Sequence, residues 1–203
     1  MNQEINIPTL KWEVINMYFM KGFLVQRTLL IWVIVDRMTT FSRYLVVKTK
    51  DSAEDNAKMY INEISHLNGA NLSIISDRGP QFTSHFWNSF QKGLGTQVNL
   101  STTFNLQMDE QAQRTIKTLE NMLTTCVIDL KGKCDYHLLL IEFTCNNSYH
   151  CNIHFVPFEA LYGHICRYPV GWFEVGETAM MGTNLVLHVL QKVQLIIVTL
   201  KSE

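Results

Sequence analysis

Three runs rich in β-branched and aromatic residues crowd into the first 48 residues: WEVINMYFM (12–20), IWVIV (31–35) and RYLVVK (43–48). Side chains of this kind suit a pleated, half-buried surface. The spacer holding Gly22 favours a hairpin-type connection between the first two. A chain that opens with three adjacent strands has a sheet to bury, and the rest of the sequence decides what covers it.

Beyond residue 48, helix and strand signals alternate. Ser52 is placed as an N-cap, with Asp55 three residues on and Gly69 as a stop. NLSIIS (71–76) reads as a short buried strand running into Asp77-Arg78-Gly79-Pro80, a turn signal. Residues 84–94 read as a helix closed by Gly95, with Phe86, Trp87 and Phe90 in the core, and residues 97–100 as a last short strand. From Asp109, the residues Ala112, Ile116, Leu119, Leu123, Cys126 and Leu130 recur at alternating steps of four and three, which makes one apolar helix face. Gly132 ends it. Residues 136–148 read as another helix, Pro157 opens a short one, and an apolar helix closes the chain from about Asn184. The expected class is α/β: a mixed five-stranded sheet flanked by helices, with a C-terminal helical extension. The expected division is a domain over 1–170 and the extension over 171–203. Asp77 falls at the carboxyl end of what reads as the central strand, where open α/β sheets place their sites.

Composition narrows the function classes. Hydrophobic residues make up 47% of the 203, which excludes a disordered chain. The net charge of -1 makes no electrostatic case for general nucleic-acid affinity, so any such contact needs a local basic patch. The five cysteines show no CxxC spacing, which argues against a disulfide framework and for a reducing compartment. The N-terminus carries Glu4 and no long apolar run, unlike a signal peptide. The most apolar stretch, residues 185–200, contains His188, Gln191, Lys192 and Gln194, and is too short and polar for the roughly 20 apolar residues of a membrane span.

Several long strings agree in order and spacing with one family: IWVIVDRMTTFSRYLVVKT, SIISDRGPQFTSHFWNSFQKGLGTQVNLSTTF, DEQAQRTIKTLENML, IEFTCNNSYH and PFEALYGHICRYP. The chain, from about Ile7 to about Val175, resembles the integrase catalytic core of gypsy-type LTR retrotransposons. The resemblance implies a ribonuclease H-like fold, DNA as partner, action as multimers in the nucleus, and magnesium or manganese as cofactor. Family members join DNA 3′ ends to target DNA with three carboxylates that hold two divalent cations, roughly 3.5–4 Å apart. Carried over residue by residue, the second carboxylate is Asp77, in SDRG. Residues 78 to 112, thirty-five in all, separate it from the third position, which here is Gln113. The first position is Tyr18. Gln113 keeps the shape of Glu without its charge. A tyrosine phenol, with an ordinary pKa of about 10, is neutral at pH 7. One carboxylate cannot clamp two magnesium ions, so the expectation is a catalytically inactive copy with weak or absent metal binding.

Other departures from the family pattern agree: Asn105-Leu106 where His-Pro is common, and Glu110 where a glycine is common. The zinc-binding and DNA-binding modules of full integrases are not in this sequence, which reads as a decayed or truncated copy. Arg114 and Lys117 lie on the helix that, by the resemblance, faces DNA; with Glu120 nearby, a solvated helix face is the alternative. Asp36 reads as a strand-end turn residue rather than a ligand. Glu110 sits one turn before Gln113 and is a weak substitute for it. His150 and His154, in HCNIH, lack a second ligand pair at zinc-finger spacing and read as incidental loop residues. The apolar C-terminal helix reads as packed back on the core, with a partner or dimer helix as the alternative. Two functional readings stand: a strand-transfer domain by descent that no longer catalyses, and a non-catalytic nucleic-acid-binding or self-associating module that keeps the fold.

Overall fold

The computed structural model describes residues 8–20, 29–76, 79–100, 117, 121, 134–150 and 153–166. The three opening runs form β1 (Val14–Met20), β2 (Leu29–Asp36) and β3 (Ser42–Lys48), an antiparallel meander. β4 (Ser73–Ser76) and β5 (Gln97–Leu100) add on in parallel, and the order is β3-β2-β1-β4-β5. The expected mixed five-stranded sheet is therefore present. Its central strand is β1, however, and not the strand that leads to Asp77. The short β4 joins the sheet beside β1 because a crossover through helix lets it pair in parallel with the strand already at the edge of the meander.

That crossover begins with α1 (Ala53–Tyr60), runs through a π-helical turn (Ile61–Ser65) and ends with α2 (His66–Asn68). Ser52 caps it as the sequence suggests: its hydroxyl accepts from the Asp55 N–H, and the Asp55 carboxylate accepts from the Ser52 N–H. Gly69, at φ 82°, stops it. The π-helical turn is not legible from periodicity; it brings Glu63 to a 3.0 Å ion pair with Arg43 of β3. The turn signal at 79–80 opens into a short helix, α3 (Pro80–Thr83), because Pro80 at its first position lacks only an N–H that no helix start uses. Ser84 then caps α4 (His85–Gly93) by accepting from the Trp87 N–H.

One face of the sheet holds an aromatic core. Trp32, fully buried at the middle of β2, lies 5.3 Å from Phe19, 5.7 Å from Trp87 and 6.3 Å from both Tyr60 and Phe82, centroid to centroid. Phe86 does not join it. It is 45% exposed, because Trp87 and Gln91, one turn apart, already occupy the buried stripe of α4. It stacks instead on Phe90 along the helix surface.

The chain divides into two compact units, residues 1–114 and 115–203. Within the second, α5 (Cys134–Asn146) and α6 (Pro157–Tyr162) correspond to the two expected helices. The expected boundary near residue 170, the closing helix from Asn184 and most of the long helix from Asp109 lie outside the described residues.

Candidate functional site

Position 18 sits on the central strand. Tyr18 pairs with Val33 of β2, and its side chain points to the sheet face opposite Phe19 and the aromatic core. It is 9% exposed. Asn16 of β1 shares that face, and its register partners are Val35 and Ile75. Met17 pairs with Ser76, the last residue of β4. The residue before Tyr18 is thus in register with the residue before Asp77. Asp77, Gln113, Arg114 and Glu110 lie outside the described residues; Lys117 is described, as an exposed helical residue.

Of the three positions that the resemblance assigns to the cations, only position 18 is described. Magnesium and manganese take oxygen ligands, preferably anionic, and keep several waters. Position 18 offers a buried aromatic ring flanked in register by Val33. Among the described residues no group of three or more His, Cys, Asp or Glu side chains could hold a metal ion.

Asp36 is buried and spoken for. Its carboxylate accepts from the Trp12 N–H at 3.0 Å, the Thr39 N–H at 3.0 Å and the Thr39 hydroxyl at 2.6 Å. Its own N–H donates to the Phe41 carbonyl, and its carbonyl accepts from the Thr40 N–H. The two residues it holds or faces, Trp12 and Thr40, both have positive φ (63° and 57°) without being glycine. A fixed carboxylate that satisfies these N–H groups explains how such backbone persists. The turn reading of Asp36 understates it: the same carboxylate also ties the start of β1 to the end of β2.

A second polar anchor carries no signal in the sequence. Asn71 is buried, accepts from the Tyr60 hydroxyl, donates to the Trp12 carbonyl, and has its own carbonyl taken by the Thr96 hydroxyl at 2.6 Å. Burial pushes the Tyr60 phenol well above its ordinary value, so it stays a neutral donor. In the second unit, His150 and His154 lie in a tight loop closed by a bridge between His150 and Phe155, and the Tyr149 hydroxyl is 3.2 Å from His154 Nδ1. They are not on a helix, the setting in which two histidines four residues apart would share a face.

No family model matches the sequence. Among curated proteins, the Tf2-3 and Tf2-4 transposon polyproteins of Schizosaccharomyces pombe (strain 972 / ATCC 24843) are each 26% identical over 132 residues, 65% of this chain. The chain spans 10% of the length of these polyproteins. Among solved structures, a chain of the simian T-cell lymphotropic virus intasome in complex with PP2A regulatory subunit B56 gamma superposes with a TM-score of 0.66, at 14% identity, over 88% of this chain and 63% of its own. The HTLV-2 integrase catalytic core domain in complex with magnesium gives 0.61 at 17% identity, over 75% and 97%. The catalytic core domain of BIV integrase gives 0.58 at 21%, over 73% and 92%. Among the described residues no helix is long and apolar enough to cross a membrane. The chain is thus related in sequence to transposon polyproteins, and its fold is that of retroviral integrase catalytic core domains, the ribonuclease H-like arrangement.

Proposed function

We propose that this chain is the integrase catalytic core-like domain of a gypsy-type retrotransposon, and that it has lost DNA strand transfer. The observation that carries the reading is Tyr18: a buried neutral ring on the central strand, one residue past the pairing of Met17 with Ser76, where the resemblance asks for a carboxylate. Gln113 removes a second negative charge, and Asp77 alone is left. Two-metal chemistry needs both cations held, one at the attacking oxygen and one at the leaving oxygen. DNA as partner, a nuclear setting and self-association belong to the same reading. Exposed Lys117, with Arg114 three residues before it, is the described candidate for backbone phosphate contact. It also favours a second reading, a non-catalytic nucleic-acid-binding module that keeps the fold.

A strand-transfer assay on the unmodified chain, with magnesium or manganese, is expected to show no joining. Joining that disappears in Asp77→Asn would overturn the reading. The double variant Tyr18→Asp, Gln113→Glu is expected to bind manganese by calorimetry; a folded double variant that binds none would show that the positions are wrongly assigned. Salt-titrated DNA binding, compared between the unmodified chain and Lys117→Ala, tests the second reading, since each lost phosphate contact reduces the salt slope by about one.

A further inference from the structure

The buried stripe of α4 carries one residue foreign to an apolar core. Gln91 is fully buried, one turn after Trp87 on the same stripe. A long helical side chain leans back over the turn before it, so the Gln91 amide lies toward the Trp87 ring. Neither its Oε1 nor its Nε2 has a hydrogen-bond partner among the described residues. The amide carries two donors and an acceptor with two lone pairs. Burying such a group bare is costly, and buried polar groups almost always find a partner in protein or ordered water.

The groups around Gln91 form a closed circuit. Its backbone carbonyl accepts from the Thr96 N–H at 2.9 Å, the Thr96 hydroxyl donates to the Asn71 carbonyl at 2.6 Å, and the Asn71 side chain accepts from the Tyr60 hydroxyl. Tyr60 in turn lies 5.7 Å from Trp87 and 6.2 Å from Phe90, the neighbours of Gln91 on α4. Thr96, Asn71 and Tyr60 are all buried. Both hydroxyl hydrogens of the circuit are already given away, and the Asn71 amide donates outward to the Trp12 carbonyl. The rings meet edge to face, with planes 77° apart for Tyr60 and Trp87, 84° for Tyr60 and Phe90 and 67° for Trp32 and Trp87. Rings set this way leave wedge-shaped gaps that a parallel stack would close.

We infer that Gln91 holds an ordered water molecule inside the core of the first unit, bounded by Tyr60, Asn71, Thr96 and Trp87. A buried water makes about three hydrogen bonds to groups that the protein leaves unmet, and the Gln91 amide supplies both a donor and an acceptor. An apolar occupant would leave that amide bare, and an ion is a poor occupant because no charged side chain belongs to the circuit. Donation to the faces of the surrounding rings is the competing arrangement; it is weaker than a bond to oxygen and leaves Oε1 unmet. The inference concerns the packing of α4 and does not rest on the proposed function.

The test is water-selective NMR on the isotope-labelled full chain. The Gln91 side-chain amide protons are expected to show cross-peaks to a long-lived water, with the sign that marks dipolar contact and not proton exchange. Oxygen-17 relaxation dispersion counts such waters. Gln91→Met, similar in volume and without the amide, is expected to hold one fewer than the unmodified chain. Assigned Gln91 amide protons that are shifted upfield by ring faces and show no water cross-peak would overturn the proposal, as would their lacking that cross-peak at any shift. An unchanged water count in folded Gln91→Met would overturn it too. Should the variant not fold, the cross-peaks of the unmodified chain decide by themselves.

Discussion

Two residues of the first unit show how little a residue type says until its surroundings are known. Asp36 ends β2, and Asp77 follows in sequence the last residue of β4. Asp36 is wholly buried, with its carboxylate taken by the Trp12 and Thr39 N–H groups, more distantly by the Met38 N–H at 3.5 Å, and by the Thr39 hydroxyl. Removing it would strand the Trp12 and Thr39 donors and release backbone held at positive φ. Asp36→Ala is therefore expected to cost about 2–4 kcal/mol, since buried donors lose a charged acceptor. Urea unfolding checks this, and a change within about 0.5 kcal/mol would show that water replaces the carboxylate. Tyr18 is buried on the central strand beside Val33, and what it says about cation binding belongs to the proposed reading of positions 18, 77 and 113.

Among the elements, the α1 start is the most legible. The Ser-x-x-Asp spacing asks for reciprocal hydrogen bonds, and both form. Ser52→Ala is expected to cost about 1 kcal/mol, measured by thermal unfolding. The Ser52 hydroxyl, and then its N–H, hold the Asp55 carboxyl below its ordinary value. A lowered carboxyl pKa contributes stability above the unfolded value and loses it as pH falls through the folded one. The helix start should therefore fray in acid, and the amide shifts of residues 52–56 should move together with the Asp55 titration; shifts that ignore that titration would remove the cap as cause. The π-helical turn and α3 are hidden for different reasons. The turn adds one residue to a helix whose sequence is ordinary, and only the Arg43–Glu63 pair and the buried Tyr60 show what it accommodates. The short α3 hides behind a proline that signals turns and helix starts alike.

For the molecule as a whole, the reading of an inactive core predicts that manganese leaves the Tm of the unmodified chain unchanged, because only a ligand bound by the native state raises it. The double variant Tyr18→Asp, Gln113→Glu is expected to show a rise that grows with manganese concentration. A concentration-dependent rise in the unmodified chain would mean that Asp77 and its neighbours still bind the ion. Most of the strands and helix ends are open to inspection in the sequence. Short-range causes act there: β-branched runs, a capping serine, and glycines at 69 and 163 that readily accept left-handed backbone. The meander and its order of strands and helices come from the same local signals. The sequence could not say which strand lies at the centre, that Asn71 joins Tyr60, Trp12 and Thr96, or that Phe86 stays outside the core. Each of these is a meeting of residues that periodicity does not relate, decided by which surfaces remain to be covered once the sheet has closed around β1.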